Sequence, residues 1–282
     1  WMLTYEATEV IVNSNYMKCE IQRLFGLPFE KISVVPNGVN LNKFSGMDRD
    51  YAFRRRYAMD NEKIILFMGR LVYEKGVQNL IAAMPKILEG YHDAKLVIAG
   101  KGGMIDELRA QADYLGISNK VYFAGYMNGK DVEKMYKAAD ISVFPSTYEP
   151  FGIVALEGML AERPIVVSDA GGLGEIVEHR ETGMKTYCGN PNSIADSILE
   201  LLYNPELCAN IVKKAKAKVK TYNWAKIAQD THFIYQKAIC ETMAEKQRKQ
   251  LEQEKAQKTK KAKGTEKEIT NLLAFKKRQA YA

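Results

Sequence analysis

Lys63-Ile64-Ile65-Leu66-Phe67-Met68-Gly69-Arg70 decides the fold: five apolar residues run together without polar alternation, stopped by a glycine and followed by a cation. A strand written this way is buried on both faces, as strands of a parallel sheet are. The pattern returns at 94–99, 121–124, 141–144 and 164–168. Between these strands the spacing predicts helices near 76–88, 104–115, 129–139 and 152–161. Short apolar strands alternating with helices make βαβ units. The expected fold class is therefore α/β, a Rossmann-like parallel sheet with helices on both faces. In such a sheet ligands sit beyond the carboxyl ends of the strands.

Upstream, residues 9–13 predict a short strand, with Ser14 capping a helix that runs to about residue 24. A second strand at 31–35 stops at Pro36-Asn37-Gly38, which is turn chemistry. Residues 44–62 are polar and contain Arg54-Arg55-Arg56, and an exposed short helix is expected there. Downstream, a loop at 187–191 leads into helices at 192–202 and 205–219. Tyr222-Asn223-Trp224 opens a long helix carrying Ile227, Phe233, Ile234, Ala238 and Ile239. From residue 246 the apolar period fails, so the last stretch is a solvated helix or disorder. An apolar patch at 269–275 interrupts it and could dock on another domain.

The 282 residues are 46% hydrophobic and 27% charged, which excludes a disordered chain, a collagen-like repeat and a disulfide-stapled miniprotein. No apolar run approaches the ~20 residues that cross a bilayer. Cys19, Cys188, Cys208 and Cys240 lack CxxC spacing, and no secretory signal opens the chain, so a reducing, cytoplasmic location is expected. Trp1 stands where a methionine would begin a complete chain, and a fragment or processed piece is expected. Residues 213–282 hold 19 Lys/Arg against 7 Asp/Glu, whereas residues 1–212 hold 22 against 27. The positive charge thus belongs to the tail. Peripheral contact with an anionic membrane is open to it; a specific nucleic-acid partner is not expected.

Four strand-end sequences carry candidate chemistry. Gly69-Arg70, with Lys75 before a helix, places two cations where they suit a diphosphate; surface salt bridges are the alternative. Gly100-Lys101-Gly102-Gly103 is a tight turn after a strand, but Ile105 stands where a dinucleotide fingerprint needs its third glycine. Glu149-Pro150-Phe151-Gly152 opens a helix whose first amides, through Ile153 and Val154, lack intrahelical partners and suit anions or hydroxyls. Glu157 follows inside that helix between apolar neighbours, where an unpaired carboxylate is costly. A helix-dipole carboxylate at Glu149 and a solvated face at Glu157 are the plainer alternatives. Finally, Asp169-Ala170-Gly171-Gly172 offers amides for phosphate or sugar oxygens, or is a simple strand-to-helix turn.

Taken together these residues resemble a known family. EPFGIVALEGM at 149–159 resembles the E-x7-E signature of retaining GT-B glycosyltransferases, in particular glycosyltransferase family 4. VPNGVN (35–40), GRLVYEKG (69–76), AGKG (99–102), FAGY (123–126) and PIVVSDAGGLGEIV (164–177) follow in the family's order. The resemblance spans roughly residues 9–240. It implies that Arg70 and Lys75 neutralise the diphosphate of a UDP- or ADP-sugar, and that Glu149 binds the transferred sugar near the amides of 151–154. It further implies that Glu157 holds the ribose diol, that Gly171 and Gly172 lie at the donor, and that 125–127, with Tyr126 and Met127, line the nucleobase. No metal or other cofactor is implied, in agreement with the lack of a DxD cluster near a strand end.

By the same resemblance, residues 1–43 are a remnant of an N-terminal GT-B domain with the interdomain crossover. Residues 44–222 are the nucleotide-sugar-binding domain, 223–245 a returning crossover helix and 246–282 a basic tail. The rest of the N-terminal domain, with the acceptor site, has no counterpart here. His92, His179 and His232 match no family motif. The chain is therefore expected to hold a donor and to transfer poorly by itself. A hexose, chiefly glucose, passed to a carbohydrate or other hydroxyl acceptor is the leading expectation, with a glycogen or α-glucan synthase among the options. A non-catalytic nucleotide-sugar-binding or interaction module is the alternative, and a nicotinamide oxidoreductase a more distant one.

Overall fold

The computed structural model describes residues 2–280; Trp1 and the side chains of the 269–275 patch lie outside the described residues. The chain opens with α1 (Met2–Glu6), β1 (Val10–Val12), α2 (Asn15–Phe25) and β2 (Ile32–Val34). β1 and β2 pair in parallel, Val10 opposite Ile32. Ser14 caps α2 by accepting from the Met17 amide at 3.1 Å. A linker with the single-turn α3 (Tyr51–Arg54) leads to β3 (Lys63–Met68), α4 (Val77–Gly90), β4 (Ala94–Ala99), α5 (Ile105–Tyr114) and β5 (Val121–Gly125). The second half runs α6 (Gly129–Ala138), β6 (Ile141–Phe144), α7 (Ile153–Leu160), β7 (Ile165–Ser168), α8 (Gly172–Ile176) and β8 (Met184–Thr186). Then come α9 (Pro191–Tyr203), α10 (Pro205–Val219) and α11 (Trp224–Ala280).

β3 to β8 form one parallel sheet in the order β5-β4-β3-β6-β7-β8. Side chains alternate across it. Ile64 and Leu66 face α6, α7 and α10, while Ile65 and Phe67 face α4, α5 and α9, so β3 is buried on both sides. The doubly wound α/β sheet is the one the apolar runs predict. Its order reverses between β3 and β6, and it is at such a reversal that sheets of this kind place their ligand crevice.

The structure departs from expectation in four places. β8 is absent from the sequence reading, because Met184-Lys185-Thr186 is three residues with a central lysine and becomes a strand through its pairing with β7. α8 forms within the glycine-dense turn. The 44–62 segment is not an exposed helix: Phe44, Phe53 and Ala58 are buried, and so is Arg54. The terminal nitrogens of Arg54 donate to the carbonyls of Met59 (2.9 Å) and Glu62 and to Asp140 (3.4 Å), a partner set that composition does not reveal, while its Nε is buried without a hydrogen-bond partner. Lastly, Gly38 serves packing rather than a left-handed turn. A Cβ there would lie 2.7 Å from the Trp224 ring, and Val39 N donates to the Tyr222 carbonyl at 2.8 Å, so the linker is seated on the start of α11.

At the reversal point, Gly76 follows the 3-10 turn Tyr73–Lys75 with φ +68°, and a Cβ would lie 1.9 Å from the Pro145 carbonyl oxygen. Gly76→Ala is expected to destabilise the fold by about 1–3 kcal/mol from backbone strain, with the overlap adding to it. A lowered urea midpoint at unchanged m-value is the outcome that checks this.

Candidate functional site

The loops leaving β3 and β6 are stitched together. Thr147 N donates to the Glu74 carbonyl at 2.8 Å, and Lys75 Nζ reaches Glu149 Oε2 at 2.6 Å. Both side chains are largely withdrawn from water, at 19% and 12% exposure, so this pair is screened less than a surface one. Ser146 Oγ stands 3.5 Å from the same carboxylate oxygen. The loop after β7 closes the third side: Gly172 N donates to the Glu149 carbonyl at 2.8 Å. Gly171 has φ +54°, and a Cβ on it would lie 2.2 Å from that carbonyl oxygen, while one on Gly172 would lie 2.5 Å from Phe151 Cα. Three strand-end loops thus meet around Glu149.

α7 starts beside this junction with no side-chain cap. Phe151 is buried against Tyr222, Ile153 is exposed and Val154 half-buried. The amides at the start of such a helix point outward without intrahelical partners. Glu157 lies farther along α7 in an ion pair with Lys43 of the linker. It also faces Tyr136, whose hydroxyl pKa is held well above its ordinary value by burial and then by the Glu157 charge.

Met68, Gly69, Arg70, Ala99, Lys101, Tyr126, Met127 and Val132 surround a mainly apolar cleft of about 280 Å³ at the ends of β3, β4 and β5. Lys101 Nζ lies over the Tyr126 ring, 4.9 Å from its centroid. Val132 and Tyr136 are one turn apart on α6, so one helix face runs from this cleft to Glu157. Lys75, Glu149, Gly152, Gly171 and Gly172 are therefore brought together. Tyr126, Met127, Gly69 and Arg70 gather at the adjoining cleft, and Glu157 stands on its far side. Arg70 is not in contact with Glu149: it is mostly exposed and only 3.7 Å from Glu74.

The amino end of α2 rests on the same loops. Glu175 accepts from Asn15 N (2.9 Å), Asn15 Nδ2 (3.0 Å) and Tyr16 N (2.6 Å), supplying the negative charge that a helix start favours. Ser14 Oγ donates to the Pro150 carbonyl at 2.6 Å, and Tyr148 donates to Glu20 at 2.8 Å. That hydrogen bond is the main reason the Tyr148 hydroxyl is pushed up to about 12. Lys43 and Tyr136 carry no sequence signal for a site, since Lys43 lies 114 residues from Glu157. Ser14 is legible as a cap and Glu175 as part of a turn, but the contact of Ser14 with Pro150 and that of Glu175 with the start of α2 are not.

The family model described as glycosyl transferases group 1 matches residues 49–218, and that described as glycosyltransferase family 4 matches residues 1–43. An uncharacterized glycosyltransferase of Methanocaldococcus jannaschii is 45% identical over 244 residues, 85% of this chain and 62% of that protein. A glycogen synthase of Mycobacterium tuberculosis is 32% identical over 234 residues, 83% of this chain and 55% of the synthase. The chain thus spans little more than half the length of these curated relatives. Among solved structures, Anabaena HepE in complex with UDP superposes with a TM-score of 0.74 at 26% identity, covering 82% of this chain and 64% of that one. Sucrose-phosphate synthase from Thermosynechococcus elongatus gives 0.71 at 27% identity, covering 82% and 58%.

Removing the Glu175 carboxylate should loosen α2 from the loops. Glu175→Ala is expected to lower local protection of the 15–17 amides by about 1.5–3 kcal/mol, the worth of charge-assisted hydrogen bonds. Hydrogen exchange followed by mass spectrometry reads it directly, and unchanged protection would mean that Glu175 does not hold the helix.

Proposed function

The chain belongs to the group 1 glycosyl transferases, and on that premise we propose that it binds a nucleotide-diphospho-sugar and presents a hexose, with glucose favoured, to an acceptor hydroxyl. The observation that carries this reading is the half-buried Lys75–Glu149 pair at the crevice where the sheet order reverses, flanked by the uncapped start of α7. HepE has been solved with UDP and with UDP-glucose, and a glycogen synthase and a sucrose-phosphate synthase are among the similar proteins. These names support a glucose nucleotide as donor. Residues 44–222 would form the donor-binding domain, with 1–43 and 223–245 belonging to the crossover. By itself this stretch of chain is expected to bind donor and transfer slowly.

In the proposed reaction the diphosphate lies against Lys75, with Arg70 swinging in from solvent and the α7 amides supplying neutral donors. Phosphate takes Lys75 as a partner, and Glu149 is then free to accept hydrogen bonds from the sugar. The bond between the anomeric carbon and the diphosphate oxygen breaks with its electron pair on the leaving phosphate, whose charge these groups meet. The acceptor oxygen bonds to the anomeric carbon on the same face, so configuration is retained, and its proton passes to the leaving phosphate. This scheme calls for no metal. The base enters the cleft lined by Tyr126 and Met127, and Glu157 accepts from the ribose diol with one oxygen while Lys43 holds the other.

Calorimetric titration with UDP, ADP and GDP, followed by their glucose conjugates, tests the reading. One nucleotide is expected to bind clearly best, and Glu157→Ala to weaken it about 10- to 100-fold, as loss of a charged hydrogen-bond partner does. No nucleotide binding by a folded chain would sink the proposal. Lys43→Met should weaken the same nucleotide by a smaller factor, about 2- to 10-fold, since it removes the positioning of Glu157 and not the acceptor itself. Unchanged affinity in that variant would remove Lys43 from the site.

A further inference from the structure

At the other end of the helices that frame the crevice, α6, α7 and α10 finish around a second cleft, of about 870 Å³, closed by the linker at 41–48. The length of α7 alone separates it from the donor edge by roughly 12 Å. Lys137, Arg163, Lys216 and Lys220 line it, against the acids Asp48 and Glu162. Glu162 is engaged by Lys216 at 2.8 Å, and the neighbouring Asp140 is shared by Arg49 (3.1 Å) and Arg54 (3.4 Å). Among the described residues, no carboxylate oxygen lies within 4.0 Å of Lys137 Nζ or of the Arg163 guanidinium, and Arg163 Nε is buried without a hydrogen-bond partner. Burial is the main cause pulling both pKa values down; for Lys137 the Glu162 and Asp48 carboxylates oppose it while the Arg163 and Lys216 charges add to it, and for Arg163 the Arg49 charge adds to it while Asp140 and Glu162 oppose it.

Cations gather at helix C-termini for the dipole alone, but at the ends of α6 and α10 the last carbonyls are already taken by other groups. Arg49 donates to the carbonyls of Lys137 (3.2 Å) and Ala139 (2.9 Å) at the end of α6. Backbone amides of Thr221 and Tyr222 take the carbonyls of Lys218 and Val219 at the end of α10. Lys137 and Arg163 are left as two partly desolvated cations facing one opening, an arrangement that an entering anion would relieve. The volume is within the range of small-molecule pockets, and Asn42 and Ser45 on the linker add uncharged hydrogen-bonding groups. We propose that this cleft is a second ligand site that takes a phosphorylated small molecule, with the phosphate at Lys137 and Arg163 and polar substituents toward Asn42 and Ser45.

Amide-detected NMR titration with ribose 5-phosphate, against ribose as control, tests this. The ester, but not ribose, is expected to give saturable shifts at residues 137, 160–163 and 216–220, and to give them equally in Lys75→Met, where the donor edge has lost the cation that pairs with Glu149. Arg163→Gln and Lys137→Met should each weaken binding about tenfold or more. Lys137→Met, at a half-buried surface position of α6, keeps the test readable if Arg163→Gln does not fold. Shifts confined to 69–76 and 149–154, no saturable shift at all, or unchanged affinity in the folded variants would each overturn the proposal.

Discussion

The contact on which the candidate site depends is made by backbone, where Gly76 meets the carbonyl of Pro145. There is no room for a side chain between them, so the turn leaving β3 and the end of β6 hold one fixed separation. Lys75 is the residue before that glycine, and Glu149 is four residues after that proline. Their 2.6 Å pair is therefore a consequence of how two strands of a doubly wound sheet exit side by side. The third loop, with Gly171 and Gly172, closes against the Glu149 carbonyl by the same kind of approach. A site built on backbone contact at a strand end is preorganised: its charges are aimed before a ligand arrives, which is what stabilising developing charge requires.

Charge balance gives the site its second property. Both α7-side glutamates of the candidate site, Glu149 and Glu157, have a cation on them: Lys75 on Glu149 and Lys43 on Glu157. An anionic diphosphate approaching bare carboxylates would be repelled. At the Lys75–Glu149 pair, the proposed diphosphate would exchange one anionic partner of that lysine for another. The elements outside the large sheet contribute to this order. α2 sits with its positive end on Glu175 and its cap serine on the loop of Glu149, while the linker supplies Lys43. The small two-stranded sheet and the linker are consequently part of the site's geometry and not an appendage to it.

Much of the fold is legible in the chain because burial on both faces leaves a plain signature. Ile64 to Met68 cannot alternate if helices cover both sides of β3. The glycine-punctuated turns after those strands mark the carboxyl edge in the same way. Where the reading fails, the stabilising partner lies elsewhere in the chain. β8 is three unremarkable residues until β7 is beside it. Arg54 looks like surface charge until Asp140, 86 residues on, is placed beside its guanidinium together with the carbonyls of Met59 and Glu62. Gly38, within a turn-like Pro-Asn-Gly, is small because the indole of Trp224, far along the chain, lies on it.

By itself the sequence determined the parallel α/β class, the places where strands end, and the residue types at those ends, because apolar runs, helical periods and glycine turns are local in the chain. It also set the charge contrast between a mildly acidic body and a basic tail. Tertiary structure alone decided that Lys75 rather than Arg70 meets Glu149, that Lys43 holds Glu157 and that Glu175 holds α2. It also left Lys137 and Arg163, at the far end of α6 and α7, with no ion pair within 4.0 Å among the described residues. The physical reason is common to all four. An ion pair or a cap depends on distances between atoms that the chain brings together across tens or hundreds of residues, and those distances exist only after the helices have packed on the sheet.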